Sequence, residues 1–295
     1  MELRQGRVTA NGLDFAYLEA GDGPLALCLH GFPDSPHTYR YLMPNLAAAG
    51  YRAVAPYLRG FAPTAIPADG QYRLIDRVND TNGLHEALGG DGDAVLIGHD
   101  WGSAAAHGSA ALEPSRWRRV VLMNIPIAPI GARLFLTYEQ TRRFFYAWFF
   151  QVRGVAEAVV AANDMGYIDY IWNLWSPGYD AAEDLPHAKA CLRDPMNLEA
   201  VLGYYRSYFD PMRLGSEEWT AENTPAWGDV PPQPLLYLHG PNDGCFQLDH
   251  ADMEELGGML APGSDTAWVE GAGHFMLVEK PAEVNERILR FLAAG

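Results

Sequence analysis

Residues 94–110 read AVLIGHDWGSAAAHGSA and give the clearest structural signal in the chain. An apolar run ends at Gly98, a tight turn follows at Asp100, and small helix-forming residues continue after Gly102. G-x-D-x-G is the strand–turn–helix pattern of a nucleophile elbow, with aspartate where serine usually stands. Small residues at Gly98 and Gly102 let such a strained turn pack against neighbouring helices. The stretch predicts that Asp100 projects from the apex of the turn, over the N-terminus of the following helix.

The same strand signal occurs at several other places. Continuous apolar runs that end at a turn residue are typical of strands buried on both faces of a sheet. Helical patterns separate the runs, which predicts an α/β fold with a mostly parallel central sheet flanked by helices. A two-residue hairpin signal at Asn11-Gly12 precedes them. The runs span residues 24–31, 51–56, 94–98, 119–124, 234–240 and 266–271.

The alternation of strands and helices stops between Asn124 and Pro234. This segment has helical periodicity, carries aromatic runs such as FFYAWFF, and ends in TPAWGDVPPQP, which predicts a connector. We expect a helical cap, residues 127–226, inserted between a first core part, residues 1–126, and a second, residues 227–295. Because sites in open parallel sheets lie beyond the carboxyl ends of the strands, such a cap would cover the site.

Three candidate catalytic residues follow predicted strands. Asp100 follows the strand 94–98, Asp243 lies in the loop LHGPNDGCF, and His274 lies in GAGHF after the last strand. Each has a plain structural explanation: Asp100 could cap a helix, Asp243 could be a turn residue, and His274 could lie on the surface. The order nucleophile, acid, histidine is nonetheless that of a catalytic triad on a sheet of this kind. Their joint occurrence favours a shared site.

A further loop, HGFPDSPHTYR, follows the strand 24–31. Backbone N–H groups in such a loop, here of Phe32 together with Trp101, can form an oxyanion hole. Pro33 would fix the geometry of the loop, with a cis bond as one option. The alternative is an ordinary strand-to-helix turn.

The composition excludes several classes of partner. The chain has 295 residues, and its formal charge of −16 argues against nucleic acid and against an acidic membrane surface. Its three cysteines form neither a disulfide framework nor a zinc pattern, and its histidines include no HxxxH or HExxH pair. We expect no cofactor and no metal. Without a signal-peptide core or an apolar run of about 18 residues, we expect a cytoplasmic protein that contacts no membrane.

Taken together, these motifs resemble the α/β-hydrolase superfamily and, within it, the epoxide hydrolases, over nearly the whole chain. GHDWG is similar to their nucleophile segment and HGFP to their oxyanion loop. RGFAPT, residues 59–64, resembles their R-G-Y-G-x-S loop and departs from it at three positions. The resemblance implies the α/β-hydrolase fold with an inserted helical cap. It also implies that Asp100 is the nucleophile, Asp243 the acid and His274 the base.

The resemblance extends to two tyrosines of the cap. Epoxide hydrolases carry two cap tyrosines that donate hydrogen bonds to the epoxide oxygen. YAWFFQVRGVAE is similar to the segment with the first, which implies Tyr146. GYYRS is similar to the segment with the second, where Tyr205 matches better than its neighbour Tyr204. Without the resemblance, an aromatic run around Tyr146 would more often be helix core.

An aspartate at the apex suits displacement at a saturated carbon. A carboxylate is already ionised at pH 7 and attacks without a base, forming an ester that water then hydrolyses. His274, oriented by Asp243, would deprotonate that water. The implied partners are a small apolar epoxide, with an aryl or long alkyl group, and water, and the product is a vicinal diol.

Two other enzyme classes share parts of this pattern. A haloalkane dehalogenase would use the same Asp100 nucleophile, with the Trp101 indole as a halide donor. Those enzymes often have Asn, a second donor, at the place of Phe32, and a cap tryptophan could replace it: Trp148, Trp172 or Trp175. A fluoroacetate dehalogenase is disfavoured because it has arginine where this sequence has Trp101. A serine esterase is disfavoured because Ser103 would lie inside the following helix.

A third hypothesis, from another class, is a binding protein that kept the fold and lost catalysis. The set of Asp100, Asp243, His274, Tyr146 and Tyr205 argues against it. A pocket without catalysis has no reason to keep a buried carboxylate facing a histidine.

Overall fold

A single sheet of eight strands forms the centre of the computed structural model, which describes residues 3–294. The sequence-based strands are all present, with ends shifted by at most two residues except in the last strand, which ends three residues earlier, and the hairpin at Asn11-Gly12 is confirmed. Both hairpin residues have positive φ angles, 46° and 73°, as a tight two-residue turn requires. The strands are β1 (Arg4–Ala10), β2 (Leu13–Ala20), β3 (Leu25–Leu29), β4 (Arg52–Pro56), β5 (Val95–His99), β6 (Arg119–Met123), β7 (Leu235–His239) and β8 (Asp265–Trp268).

The strands are ordered β1-β2-β4-β3-β5-β6-β7-β8 across the sheet. Strands β1 and β2 pair antiparallel, β2 pairs antiparallel with β4, and every pair from β4 to β8 is parallel. The predicted α/β fold with a mostly parallel sheet is therefore confirmed. Because parallel strands point the same way, the loops that follow β3, β5, β7 and β8 meet at one edge of the sheet.

Helices cover both faces of this sheet. Side chains alternate along each strand, so that Leu27 belongs to the hydrophobic core on one face and Cys28 to the core on the other. Both neighbours are buried, which explains the continuous apolar runs in the sequence. Residues 3–294 contain thirteen α-helices: α1 (Leu42–Ala48), α2 (Leu74–Ala87), α3 (Trp101–Leu112), α4 (Ala128–Leu134), α5 (Tyr138–Arg143), α6 (Phe145–Phe149), α7 (Val155–Trp175), α8 (Leu185–Ala190), α9 (Pro195–Tyr208), α10 (Glu217–Trp227), α11 (His250–Met259), α12 (Met276–Glu279) and α13 (Pro281–Ala293).

Helices α4 to α10 occupy the chain between β6 and β7. Helix α7 is interrupted at residues 162–165, whose backbone angles are not helical. Many side chains of these helices join the core cluster that also contains the residues of β3 and β5 on one face. None of the helices in the described part of the chain combines the length and the apolar character needed to cross a bilayer.

The prediction that TPAWGDVPPQP is a connector is wrong for its first four residues, because α10 continues through Pro225 to Trp227. The last turn of this helix is held against α3. Nδ1 of His107 lies 3.0 Å from the carbonyl oxygen of Trp227, and a Cβ at Gly108 would lie 2.2 Å from the carbonyl oxygen of Ala226. Packing on α3 therefore outweighs the local preference of proline for ending a helix.

Candidate active site

The elbow at Asp100 is a strained turn between β5 and α3. Asp100 has φ 52° and ψ −123°, a backbone conformation that side-chain-bearing residues rarely adopt. A Cβ at Gly98 would lie 2.5 Å from the Gly102 carbonyl oxygen, and one at Gly102 would lie 2.1 Å from that of Leu29. Gly102 therefore packs against the end of β3, and the expectation that both glycines pack against helices is wrong for this one. The Asp100 side chain makes no capping hydrogen bond to α3, so the helix-cap interpretation is also wrong.

The loop after β3 reaches the Asp100 carboxylate with a backbone donor. The N–H of Phe32 donates to Oδ1 of Asp100 at 2.8 Å, and the Phe32–Pro33 bond is cis. A Cβ at Gly31 would lie 2.2 Å from the same Oδ1, so only glycine permits this approach. Burial raises the pKa of the Asp100 carboxyl above its ordinary value, although the His274 charge and the N–H groups of Phe32 and Trp101 oppose this shift. Of the two predicted oxyanion donors, the Phe32 N–H thus hydrogen-bonds to Asp100, and the Trp101 N–H favours its charged form.

Asp243 is held in the loop after β7 by a dense set of donors. Its Oδ1 accepts from the backbone N–H groups of Cys245 and Phe246, at 2.7 and 3.3 Å. Its Oδ2 accepts from Nδ2 of Asn124 at 2.6 Å, and both oxygens lie 3.1 Å from Nδ1 of His274. Burial raises the pKa of Asp243, but the charge and hydrogen bond of His274 and further donors outweigh it and lower the pKa to about 2. Asp243 is therefore ionised and fixes the orientation of the His274 ring.

His274 lies between the two aspartates and is completely buried. Its Nε2 is 3.7 Å from Oδ2 of Asp100 and hydrogen-bonds to none of the described residues. Its backbone is anchored too, because its N–H donates to the Trp175 carbonyl and its carbonyl oxygen lies 2.8 Å from Nε2 of His99. Burial lowers the pKa of His274, but the Asp243 charge and hydrogen bond, with the Asp100 charge, raise it above its ordinary value. The structure brings the three residues of the predicted triad together.

A cavity of about 480 Å³ opens beside the Asp100 carboxylate. Tyr146 from α6 and Tyr205 from α9 line it, and their ring centroids are 5.4 Å apart. The Tyr205 hydroxyl is buried without a hydrogen-bond partner in the described chain, whereas that of Tyr146 lies 3.3 Å from Sγ of Cys245. Burial raises the pKa of both phenols well above the ordinary value, so both are protonated donors at neutral pH. The Tyr204 hydroxyl instead donates to the Arg59 carbonyl at 2.7 Å.

The rest of the cavity lining is mainly apolar. Aromatic and aliphatic side chains from α4, α9 and α10 face the same space as Asp100. Such a lining favours an apolar ligand with one polar reacting group at the Asp100 end. The apolar lining includes Ile125, Phe135, Leu136, Phe144, Tyr208, Phe209, Leu214, Trp219 and Trp227.

Sequence reasoning missed three residues of this site. Asn124 follows directly after β6 and holds Asp243. A polar residue at the carboxyl end of a buried strand was the signal that could have identified it. Cys245 lies in the same loop as Asp243 and lines the cavity. Arg77 in α2 is buried, with its guanidinium 4.2 Å from the Trp101 ring and 4.4 Å from that of Tyr204. Nothing in the sequence distinguishes Arg77 from an ordinary exposed helix arginine.

Comparison with known proteins agrees with this geometry. The profile of the Alpha/beta hydrolase family matches residues 26–287, and the chain belongs to this family. The AB hydrolase superfamily protein YfhM of Bacillus subtilis is 31% identical over 97% of this chain and 96% of its own length.

Within the family the chain is similar to epoxide hydrolases. A protein named epoxide hydrolase from Caballeronia sordidicola is 28% identical over 98% of this chain and 94% of its own length. The solved structure of an epoxide hydrolase from an endophytic Streptomyces superposes with a TM-score of 0.79 at 28% identity. That match covers 98% of this chain and 95% of the other.

Proposed function

We propose that this protein is an epoxide hydrolase, which converts an apolar epoxide into a vicinal diol through an ester of Asp100. One observation carries the proposal: a buried carboxylate that faces His274 lines the same cavity as the hydroxyl-bearing rings of Tyr146 and Tyr205. The similarity to proteins named epoxide hydrolase supports it. We also propose that residues 127–226 act as the cap, because their helices supply both tyrosines and the apolar lining.

In the first half-reaction the two oxygens of Asp100 have different tasks. Oδ1 is held by the Phe32 N–H, so Oδ2 attacks a carbon of the epoxide ring and forms the ester. The C–O bond of the ring breaks, and its oxygen accepts hydrogen bonds from the Tyr146 and Tyr205 hydroxyls. One of them gives up its proton as the alkoxide develops. Since both phenols stay protonated at neutral pH, the pair stabilises the leaving oxygen without a cationic acid.

In the second half-reaction His274 deprotonates a water that attacks Cγ of the Asp100 ester. The negative charge then develops on Oδ1, against the backbone N–H groups of Phe32 and Trp101. The diol leaves with Oδ2, which takes the second proton of the water, and the carboxylate is restored with one oxygen from water. The proton that His274 took from the water balances the proton that the tyrosine supplied.

The charge of Asp100 couples the two half-reactions. In the free protein this charge is one of the contributions that raise the pKa of His274. Ester formation removes the charge, so His274 releases its proton more readily once the intermediate exists. The base is thereby produced at the stage where it is needed.

The decisive test is a single turnover of excess enzyme with styrene oxide in ¹⁸O-labelled water. We expect one ¹⁸O in the Asp100 carboxyl group by peptide mass analysis. A His274→Gln variant should accumulate the ester, seen as a mass increase of the intact protein equal to the substrate mass. His250→Gln is the matched control, because His250 is exposed, and it should turn over normally. An unlabelled Asp100, or normal turnover by His274→Gln, would refute the proposal.

The dehalogenase alternative predicts halide release from a bromoalkane, and we expect none. The indole N–H of Trp172 donates to the Pro33 carbonyl at 2.7 Å and that of Trp148 to the Thr141 carbonyl at 3.4 Å. The indole N–H of Trp175 has no hydrogen-bond partner in the described chain, but Trp175 does not line the cavity beside Asp100 and packs its ring against Tyr146 and His274, with centroids 4.9 and 4.8 Å away. The binding-protein alternative predicts that the diol does not form at all. Assays of diol and of bromide therefore distinguish the three hypotheses.

A further inference from the structure

Cys245 brings a third metal-binding side chain to the two reacting residues. Its Sγ, a carboxylate oxygen of Asp100 and a ring nitrogen of His274 all lie within 4.8 Å of one another, and all three residues are buried. The 3.7 Å between Nε2 of His274 and Oδ2 of Asp100 is too long for a hydrogen bond. Nε2 is buried and has no hydrogen-bond partner in the described chain, so a free donor atom points into the cluster.

These distances suit a tetrahedral cation. Two ligand atoms that bind Zn²⁺ at about 2.0–2.3 Å in a tetrahedron lie about 3.3–3.7 Å from each other. The Asp100–His274 distance of 3.7 Å already falls at that limit. Cys245 needs to approach by about 1.5 Å at most, given the 4.8 Å limit on its distances. A thiolate, an imidazole nitrogen and a carboxylate oxygen are all ligands that Zn²⁺ accepts.

The surroundings of the cluster also match those of a metal site. Nδ1 of His274 is held by Asp243, which directs the lone pair of Nε2 towards Asp100. Oδ1 of Asp100 is held by the Phe32 N–H, which leaves Oδ2 on the cluster side. Asp100 and Cys245 both line the cavity, so a cation has a route in and a fourth position open to a small ligand.

We propose that Asp100, Cys245 and His274 form a binding site for a thiophilic divalent cation, represented by Zn²⁺, that switches the active site off. Binding joins the metal to Oδ2, Sγ and Nε2, and the thiol proton of Cys245 leaves to solvent. The inhibitory effect rests on the proposed function, because the metal occupies both the attacking oxygen and the base nitrogen. The site carries no sequence motif, since its ligands come from loops after three different strands, β5, β7 and β8.

The binding itself is tested without any assay of activity. Untagged protein is titrated with Co²⁺, whose bond to a thiolate gives a charge-transfer band in the near ultraviolet, and Zn²⁺ affinity is then measured by competition. We expect the band in the wild type and its loss in both Cys245→Ser and Cys245→Ala. We also expect Zn²⁺ affinity to fall by more than about 100-fold. Loss of a group that only hydrogen-bonds to a metal ligand already lowers metal affinity about 10–100-fold, and Cys245 would bind the metal itself. Circular dichroism verifies that both variants are folded.

Cys191→Ser is the matched control, because Cys191 is also a buried free cysteine but does not belong to the cluster. It should keep the cobalt band and the Zn²⁺ affinity. Absence of the band in the wild type, or its persistence in both Cys245 variants, overturns the site.

The inhibitory effect is tested separately. Zn²⁺ should abolish diol formation by the wild type and by Cys191→Ser, a chelator should restore it, and folded Cys245→Ser should need at least about 100-fold more Zn²⁺ for the same fractional loss. Full diol formation by the zinc-saturated wild type overturns the switch. A cobalt band in a protein that forms no diol supports the metal site and contradicts only the proposed function.

Discussion

The two walls of the cavity are held in place by different forces. The sheet wall, which carries Asp100, Asp243 and His274 on loops after strands, is held by backbone hydrogen bonds and glycine contacts. The helix wall, which carries Tyr146 and Tyr205 on α6 and α9, is held by ring packing. The Tyr205 ring contacts four other rings at centroid distances of 5.1–5.4 Å, and its hydroxyl has no hydrogen-bond partner among residues 3–294.

This difference follows from the tasks proposed for each wall. Atoms that form and break a covalent bond must be placed within fractions of an ångström, which directional backbone contacts achieve. Hydroxyls that bind the oxygen of differently shaped substrates need polarity more than a fixed position, and rings packed edge to face provide a broad, apolar support. We therefore expect changes in the sheet wall to act steeply and changes in the helix wall to act gradually.

The largest effect is expected for Asp100→Asn. The amide is not an anion and cannot form the ester, so kcat for diol formation should fall by about 10⁴-fold or more. Steady-state assays with styrene oxide measure the loss, and thermal unfolding verifies that the variant is folded. Asp265→Asn, at an exposed site, is the control. A loss of kcat smaller than about 10²-fold would contradict the role of Asp100.

Gly102→Ala tests the backbone contacts of the sheet wall. The new Cβ would lie 2.1 Å from the Leu29 carbonyl oxygen, so the turn or the strand must move. We expect the free energy of unfolding to fall by about 3 kcal/mol, measured by denaturant titration.

The matched control for Gly102→Ala is Gly258→Ala in α11, where a Cβ would meet nothing within 4 Å. It should be neutral or stabilising by up to about 1 kcal/mol, because alanine favours helix more than glycine does. Equal effects of the two changes would show that the close contact at Gly102 is unimportant.

Tyr205→Phe tests the helix wall. Removing one of two donors to the epoxide oxygen should lower the rate of ester formation about 10–100-fold, and Tyr146→Phe should act similarly. The double variant should lose more than the product of the two, since no donor remains.

The neighbouring Tyr204→Phe separates the donor role from packing. It removes the hydrogen bond to the Arg59 carbonyl and should cost about 1 kcal/mol of stability, with less than about a 3-fold change in rate. Stopped-flow measurement of the ester phase and thermal unfolding distinguish the two tyrosines. A Tyr205→Phe variant with the wild-type rate would remove Tyr205 from the mechanism.

The smallest effects concern pH. Burial raises the pKa of Asp100, so ester formation should decline on acidification at a higher pH than the ordinary value of about 3.9 would give. His274 must be neutral to act as base, so ester hydrolysis should also decline on acidification, but at a lower pH than the pKa of His274 in the free protein, because the ester lacks the Asp100 charge that helps to raise this pKa. Single-turnover experiments across pH resolve the two phases. An increase of either rate on acidification would contradict these assignments.

The order of strands and helices along the chain was largely predictable from the sequence. Strands buried on both faces leave continuous apolar runs, and β3 and β5 are recognisable for this reason. The elbow is visible because only glycine fits at Gly98 and Gly102. The meeting of Asp100, Asp243 and His274 was predictable because residues after parallel strands gather at one edge of the sheet.

What the sequence could not reveal depends on contacts between distant segments. Arg77 is buried only because Trp101 and Tyr204 cover it. The contact between Tyr146 and Cys245 joins positions 99 residues apart. The rotation of α9 directs the Tyr204 hydroxyl to Arg59 and the Tyr205 ring to the cavity, and the sequence favoured Tyr205 only through its resemblance to epoxide hydrolases. Local propensity contains none of this information.

Strands β6 and β7 are parallel neighbours in the sheet, and this pairing affects how the ligand preference of such a protein can change. A parallel pair always needs a crossover that carries the chain back to the starting edge, and α4 to α10 are an enlarged form of it. Lengthening a connection adds little closure entropy, so its contents are only weakly constrained by the strands it joins. Exchange of this whole connection would give a new ligand preference while the reacting carboxylate stayed where it is.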